Sequence, residues 1–212
     1  MNIVLLSGGS GKRLWPLSND IRSKQFIKLF KKKDGSYESM VQRVYRQIRS
    51  INKDASVTIA ASRAQVSSIR NQLGDSVQIS VEPCRRDTFP AIALVSAYLR
   101  DVQGVDENEP VVVCPVDPFV EDGYFQMLKR LSDQAEKGDA NLVLMGIAPT
   151  YPSEKYGYII PQDAGEISGV LEFKEKPVKA AAEDYIRNGA LWNGGVFAYR
   201  LGYVLKQAHK QM

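Results

Sequence analysis

Histidine and cysteine are scarce in this chain of 212 residues, which has one histidine and two cysteines. Cys84 and Cys114 are too few for a disulfide framework or a cysteine-rich metal site. We interpret both as reduced, mostly buried thiols, which are typical of a cytoplasmic protein. His209 lies in the last predicted helix, where we expect it to be exposed, so the sequence offers no histidine suited to catalysis.

Long apolar runs are absent too, because the longest uninterrupted ones extend over only a few residues. No segment is therefore predicted to span a membrane, and no basic segment followed by a long apolar stretch indicates a secretory signal. The net charge of +4 is too small to indicate a nucleic-acid-binding protein, and the basic residues lack interleaved aromatic side chains. We expect a cytoplasmic protein without a membrane or nucleic-acid partner.

Short apolar runs alternate with amphipathic segments over most of the chain, which predicts alternating strands and helices. The predicted strands cover residues 3–6, 57–61, 77–81, 110–114 and 142–147. The predicted helices between them cover residues 40–51, 63–73, 90–99 and 122–137. This alternation implies an α/β fold in which parallel strands carry helices on both faces. The polar residues 18–37 are predicted to form a long, functional loop.

The pattern changes after Pro149. Residues 156–160 and 170–176 are predicted to form a hairpin or another antiparallel addition, which makes the sheet mixed and mainly parallel. A helix is predicted over 178–188, and a strand with two glycines over 191–199 indicates a bulge or a close approach to a ligand. A last helix is predicted to begin near Leu201.

The first predicted strand is followed by Gly8, Gly9 and Gly11, and then by the cations Lys12 and Arg13. Glycines let backbone N–H groups approach a ligand closely, and neighbouring cations complete an anion site. The spacing fits neither the Walker loop nor the dinucleotide-binding fingerprint of glycines. The loop is therefore predicted to hold phosphates in another way.

Glu82 follows the predicted strand 77–81 directly, and Asp117 comes shortly after the predicted strand 110–114. Ligands of parallel α/β sheets bind beyond the carboxyl ends of the strands. We therefore expect the glycine loop, Glu82 and Asp117 to lie along one edge of the sheet. A turn-capping role for Asp117 remains an alternative.

The sequence around the glycine loop resembles the first motif of the sugar-1-phosphate nucleotidyltransferases. It reads Leu-Ser-Gly-Gly-Ser-Gly-Lys-Arg-Leu-Trp-Pro-Leu-Ser at 6–18, followed by Lys-Gln-Phe at 24–26. Both segments are similar to the guanylyltransferase branch that acts on mannose 1-phosphate. Five later segments resemble further motifs of the family in the same order. They are residues 82–92, 115–117, 156–159, 173–177 and 192–197.

The resemblance implies a Rossmann-like, glycosyltransferase-A-like catalytic domain over residues 1–212. Residues 1–148 would form its nucleotide-binding half and residues 149–212 its sugar-phosphate-binding half. The family carries a second metal-binding Asp in a later motif, so the domain is expected to be truncated at its C-terminus. A homo-oligomer is left open.

The resemblance also implies that GTP and mannose 1-phosphate react to GDP-mannose and pyrophosphate, with Mg²⁺ as the cofactor. The implied nucleotide-binding residues are Leu6, Gly8, Gly9, Gly11, Glu82 and Thr88. The implied catalytic residues are Arg13, Lys24, Asp117 and Lys176, and Asp117 is also the implied metal ligand. The implied sugar-phosphate-binding residues are Gly157, Glu175, Asn193 and Gly194. A solvated strand end is the alternative for the segment that holds Glu175 and Lys176.

Glu82 also bears on the choice of base. Guanine presents two adjacent donors, N1–H and N2–H₂, and a carboxylate can accept from both. Uracil pairs a donor with acceptors, and the related pyrimidine-nucleotide enzymes have Gln at this position. The sequence therefore predicts GTP rather than UTP.

Several positions depart from the family pattern, which keeps other functions open. Lys12, Arg85 and Phe89 differ from the usual residues, and four further departures are Ser7 for Ala, Ser23 for Pro, Asp87 for Asn and Pro118 for His. One alternative is a related nucleotidyltransferase with another sugar 1-phosphate or UTP. Another is a domain that binds nucleotide sugars without turnover.

Overall fold

The protein was analysed as a computed structural model, which describes residues 1–8, 16–18, 23–84 and 86–211. Its strands, in chain order, are β1 Asn2–Leu6, β2 Lys28–Lys31, β3 Tyr37–Ser39, β4 Ser56–Ser62, β5 Gln78–Glu82, β6 Pro110–Pro115, β7 Val143–Ile147, β8 Gly157–Pro161, β9 Val170–Glu175 and β10 Leu191–Arg200. Its α-helices are α1 Met40–Ile51, α2 Val66–Leu73, α3 Thr88–Asp101, α4 Asp122–Lys137, α5 Lys179–Arg187 and α6 Leu201–Gln211. Short 3₁₀ turns cover Lys24–Phe26 and Arg63–Gln65.

Contacts divide the chain into two compact units. The first comprises Met1–Val143 and Phe197–Met212, and the second comprises Leu144–Val196. The division at residue 148 that the resemblance implies stays a prediction.

Four parallel strands in the order β5-β4-β1-β6 form the centre of the first unit, and the end of β10 pairs antiparallel with β6. Val4 and Val113 pack with Leu99 of α3 in one core cluster. Ile3 and Val112, which alternate with them along β1 and β6, are equally buried. Successive side chains of a strand point to opposite faces, so both faces of the sheet are covered. The predicted α/β fold with a mixed, mainly parallel sheet is confirmed.

The second unit is built on an antiparallel hairpin of β8 and β9, as the sequence predicts. The first residues of β10 pair antiparallel with β8. Tyr158 of β8 is buried together with Ala182 of α5, and Tyr185 and Trp192 pack against them. This unit therefore has a small core of its own.

Three structural expectations need correction. The segment 18–37 is not one long loop, because it contains the turn Lys24–Phe26, β2 and the start of β3. Strands β2 and β3 pair antiparallel as a two-stranded sheet. Strand β7 pairs with β10 rather than extending the parallel group. Cys84 is exposed, whereas Cys114 is buried as expected.

The structure also bears on the exposure of His209 and on membrane-spanning helices. His209 is exposed on α6, as predicted, and its Nδ1 lies 2.8 Å from the carbonyl oxygen of Leu205. In the described part of the chain, no helix is both long and apolar enough to cross a membrane.

Candidate active site

The ends of β1 and β6 bring two predicted site segments to one edge of the first unit's sheet. Leu6, at the end of β1, is aligned with Pro115 of β6, and the Val116 N–H donates to the Leu6 carbonyl at 3.2 Å. Gly8 and Asp117 each lie two residues beyond these paired positions. The chain therefore places the start of the glycine loop beside Asp117.

Lys24 and Asp117 form an ion pair at this edge. The Lys24 Nζ lies 2.5 Å from Asp117 Oδ2, and the two side chains are 37% and 39% exposed. Lys24 belongs to the turn Lys24–Phe26, whereas Asp117 follows β6. A cation and a carboxylate that the sequence predicts separately thus meet at an accessible place.

The glycine loop is described only at its start. Gly8 is exposed, and a Cβ at this position would meet no atom of the described residues within 4 Å. Gly9, Gly11 and Arg13 lie outside the described residues, so their roles stay predictions.

Glu82 ends β5 and is half-buried, two strands away from β1. Strands lie about 4.8 Å apart, which places the ends of β5 and β1 about 10 Å from each other. Thr88 begins α3 and is exposed. Asp87 before it has φ 66° and ψ −169°, a conformation that is essentially restricted to glycine, and its side chain does not cap α3. The backbone is therefore strained beside Thr88.

In the second unit, Gly157 and Glu175 are paired neighbours across β8 and β9. A Cβ at Gly157 would lie 2.9 Å from Glu175 Oε2 and 2.6 Å from Phe173 Cζ. The missing side chain of Gly157 therefore makes room for the Glu175 carboxylate.

Strand alternation places Asn193 on the same face as these two residues. Asn193 shares its face of β10 with Leu191, which pairs with Ile159, and Ile159 shares its face of β8 with Gly157. The Asn193 Oδ1 accepts a hydrogen bond from the Gly195 N–H at 3.0 Å. Gly194 lies close to β7, because a Cβ there would be 2.7 Å from Ile147 Cδ1.

Trp192 lies on the opposite face, paired with the buried Tyr158. Its ring centroid is 5.0 Å from the centroids of both Tyr151 and Tyr156. Trp192 of β10 therefore packs on the face of the sheet that α5 covers. The Asn193 side carries three of the residues that were predicted to bind the sugar phosphate, namely Gly157, Glu175 and Asn193.

Lys176 follows Glu175 with a left-handed φ of 45°. Its N–H donates to the Tyr156 carbonyl at 3.2 Å, which fixes the backbone at the end of β9. Its Nζ lies 2.5 Å from Glu175 Oε1, and both side chains are more than half exposed. The pair is therefore accessible to a ligand.

Tyr124 of α4 is a residue that the sequence reasoning missed. Its hydroxyl is buried and has no hydrogen-bond partner among the described residues. Burial, and to a smaller extent the charges of Cys114 and Asp117, raise the pKa of Tyr124, so the phenol keeps its proton. The signal in the sequence that could have indicated Tyr124 is its place at the start of the helix that follows the predicted metal ligand Asp117.

Asp117 is the predicted metal ligand, and its donor chemistry can be compared with what Mg²⁺ requires. Within the described ranges, no group of three or more His, Cys, Asp or Glu side chains could hold a metal ion. Mg²⁺ commonly uses one or two carboxylates, water and substrate phosphates rather than a complete protein cage. An accessible carboxylate beside a predicted phosphate loop fits that mode of binding.

Almost the whole chain is similar in sequence to curated proteins. The chain is 33% identical to mannose-1-phosphate guanylyltransferase RfbM of Salmonella typhimurium, over 96% of this chain and 43% of the relative. It is 34% identical to a mannose-1-phosphate guanylyltransferase of Escherichia coli, over 96% of this chain and 45% of the relative. The chain thus spans less than half the length of these relatives.

A solved structure and a family profile agree with these relatives. The structure named mannose-1-phosphate geranyltransferase, from Thermus thermophilus, superposes with a TM-score of 0.81 and 31% identity, over 99% of this chain and 62% of that one. This likeness confirms the Rossmann-like nucleotidyltransferase fold. The profile described as Nucleotidyl transferase matches residues 2–212, and the chain therefore belongs to the nucleotidyl transferase family.

Proposed function

We propose that the protein containing this chain transfers GMP from GTP to mannose 1-phosphate. A phosphate oxygen of the sugar phosphate attacks the α-phosphorus of GTP, and the bond from that phosphorus to the bridging oxygen breaks. The products are GDP-mannose and pyrophosphate. The observation that carries the proposal is the accessible pair of Lys24 and Asp117 beside the glycine loop, in a chain whose relatives are named guanylyltransferases.

The reaction brings two anions together, so the protein must compensate their charge and align them. Lys24 is proposed to contact the α-phosphate or the incoming sugar phosphate, and Arg13 the transferring phosphate and the leaving pyrophosphate. Leu6, Gly8, Gly9 and Gly11 are proposed to hold the nucleotide through backbone groups.

Glu82 is proposed to accept hydrogen bonds from guanine, with Thr88 as a further nucleotide contact. The separation of about 10 Å between the ends of β5 and β1, from two strand spacings, suits a ligand with its base at one end and its phosphates at the other. The exposed position of Thr88 at the start of α3 leaves its hydroxyl accessible to such a ligand.

The second unit is proposed to bind the sugar phosphate. Glu175, Gly157 and Asn193 share one face, where carboxylate and amide groups can bind sugar hydroxyls. Gly194 adjoins them on β10, and Lys176 supplies a cation for the sugar's phosphate. The contact of Gly157 with the Glu175 carboxylate supports this assignment.

Nucleotidyltransferases of this family generally use Mg²⁺. Asp117 is proposed to hold it together with the phosphates of the nucleotide. When bound, the ion would neutralise phosphate charge as a Lewis acid. Lys24 then provides a second positive charge at the same carboxylate.

The nucleophile in this proposal is the substrate's own phosphate, so no side chain has to be activated. Burial raises the pKa of the Cys114 thiol to about 12, which keeps it protonated. His209 lies on α6 beside a backbone carbonyl. Both observations support a mechanism that relies on positioning and charge.

The proposal is tested by measuring pyrophosphate release from the full-length protein with mannose 1-phosphate and each of GTP, UTP, CTP and ATP. We expect release with Mg²⁺ and a clear preference for GTP. Equal rates with UTP would contradict the assignment of Glu82 and favour a related nucleotidyltransferase. Binding of GDP-mannose without any pyrophosphate release would instead indicate a non-catalytic binding domain. The cytoplasmic location and a homo-oligomer stay predictions.

A further inference from the structure

Lys24 sits on a very short element that cannot fix its own position. The turn Lys24–Phe26 is preceded by Ser23, whose carbonyl accepts the Phe26 N–H at 3.1 Å. A single 3₁₀ turn is not stable in isolation, because its few hydrogen bonds do not offset the loss of backbone freedom. The position of Lys24 must therefore come from contacts with other elements.

Three glutamines supply these contacts, and we call Gln25, Gln65 and Gln72 the glutamine clamp. Gln65 Nε2 donates to Ser23 Oγ at 3.3 Å, at the start of the turn. Gln72 Nε2 donates to the Phe26 carbonyl at 2.9 Å, at its end.

Gln25 ties the middle of the turn to the end of β1. Its Nε2 lies 3.2 Å from both the carbonyl oxygen and the Oγ of Ser7, and it donates to these two acceptors. Gln25 is 1% exposed and Ser7 is fully buried. The turn that carries Lys24 is thus fastened to the strand that leads into the glycine loop.

Two members of the glutamine clamp are themselves held in place. Gln65 Oε1 accepts from the Ser62 N–H at 3.1 Å, and Gln72 Oε1 accepts from the Ser39 hydroxyl at 2.5 Å. An amide that uses both its donor and its acceptor in this way has one favoured orientation. The glutamine clamp therefore ties the turn to the end of β4 and to Ser39, where β3 ends and α1 begins.

The backbone of Ser23 adds a second, independent observation. Ser23 has φ −66° and ψ 149°, and this φ is the value at which a proline ring would fix the angle. Serine has no ring that fixes this angle, so contacts of its backbone and side chain hold it instead. In this structure that contact is Gln65.

We propose that Ser23 and Gln65 are positioning residues for Lys24. Their hydrogen bond holds the φ of Ser23 near the value that a proline would have, and thereby keeps the Lys24 Nζ at Asp117. The proposal rests on the proposed function in one respect, because it assigns the catalytic benefit to Lys24.

The test compares Ser23→Ala, Ser23→Pro and Gln65→Met with Gln103→Met in the full-length protein. Gln103→Met is the matched control, since its Nε2 donates to Thr58 Oγ1 at 2.7 Å, a similar bond to a residue outside the turn. The first readout is the kcat and KM of pyrophosphate release. The second is the fraction of Lys24 acetylated by a short pulse of acetic anhydride, measured by peptide mass spectrometry.

We expect Ser23→Ala and Gln65→Met to lower kcat about fivefold, the effect of one neutral hydrogen bond, with KM changed less than about twofold. Acetylation of Lys24 should rise in both, because the amine spends less time paired with Asp117. Ser23→Pro should restore wild-type kcat and acetylation, whereas Gln103→Met should change neither.

The proposal would be overturned if Lys24 acetylation in Ser23→Pro were as high as in Ser23→Ala. It would also be overturned if Gln103→Met changed kcat and acetylation as much as Gln65→Met does. If Ser23→Pro does not fold, unchanged acetylation in both Ser23→Ala and Gln65→Met would overturn it equally. Absence of pyrophosphate release in the wild type with every nucleotide would overturn the proposed function instead. The acetylation readout would still decide whether the glutamine clamp positions Lys24.

Discussion

Lys24 and Asp117, far apart in the sequence, form an ion pair with 2.5 Å between Nζ and Oδ2. The carboxylate that is proposed to hold Mg²⁺ therefore already has a positive partner in the ligand-free chain. A metal ion that binds Asp117 has to displace this partner or share the carboxylate with it.

Replacing Lys24 with Met is expected to have opposite effects on metal binding and on catalysis. Removing an accessible ion-pair partner worth at most about 1 kcal/mol should tighten Mn²⁺ binding to the ligand-free protein about two- to fivefold. Losing a cation that contacts a phosphate should lower kcat about a hundredfold. Titration calorimetry and pyrophosphate release measure the two effects.

Lys28→Met is the matched control, because Lys28 is an exposed lysine of β2 and its loss changes the net charge equally. It should leave both quantities unchanged. Asp117→Asn should abolish the Mn²⁺ binding that responds to Lys24. Weaker Mn²⁺ binding in Lys24→Met than in wild type would contradict the expected competition.

Glu82→Gln is expected to change the preference among nucleotides. An amide presents a donor to guanine where the carboxylate presents only acceptors, and a hydrogen bond to a charged group contributes roughly 1.5–3 kcal/mol. The kcat/KM ratio of GTP to UTP should therefore fall about ten- to a hundredfold. Glu136→Gln, on the exposed side of α4, should leave the ratio unchanged. A normal ratio in Glu82→Gln would remove Glu82 from the base-binding role.

Asp87→Gly is expected to stabilise the protein. Asp87 holds φ 66° and ψ −169°, and such a conformation costs a residue other than glycine about 1–3 kcal/mol. Glycine loses more backbone entropy on folding, by about 0.5–1 kcal/mol, so the free energy of unfolding should rise by about 1 kcal/mol. Urea denaturation measures it. Asp87→Ala keeps the strain and should bring no gain, so equal stabilisation by both variants would refute this explanation.

Gly157→Ala is expected to weaken sugar-phosphate binding with little effect on stability. The new Cβ would displace Glu175 Oε2 and Phe173 Cζ, which are the far ends of side chains and can move. Loss of one hydrogen bond from the Glu175 carboxylate should raise the KM for mannose 1-phosphate about tenfold. The melting temperature should change by less than about 2 °C.

Gly123→Ala is the control for this variant, because its Cβ, on the exposed start of α4, would have no atom of the described residues within 4 Å. It should leave the KM unaltered. A KM for mannose 1-phosphate that stays normal in Gly157→Ala would separate Glu175 from the sugar site.

The parallel strands could be predicted from their own residues, because a strand buried on both faces is a continuous apolar run. Runs such as Val111–Cys114 are apolar on both faces, and the polar residues after them, Asp117 among them, follow where each strand ends. The family motifs then indicated candidate residues in both units. Their proposed roles remain to be tested by the variants above.

Other features depend on tertiary contacts that no local pattern contains. Strand β2 is four residues long and basic, with an exposed Leu29, so it lacks the apolar alternation of a strand. The hydroxyl of Tyr124 owes its environment to burial in the folded chain and, to a smaller extent, to the charges of Cys114 and Asp117. The bonds of the glutamine clamp join segments that are distant in the sequence, and glutamine has no periodic pattern that would reveal them.

The chemistry of the glutamine clamp has a consequence for how the protein responds to acidity. Its members are amides that bond to hydroxyl and backbone groups, and none of these ionises in the ordinary pH range. The turn that carries Lys24 should therefore keep its geometry as the pH changes. Any dependence of turnover on pH would then arise from the substrates and the groups that contact them, rather than from a loss of the hydrogen bonds that hold this turn.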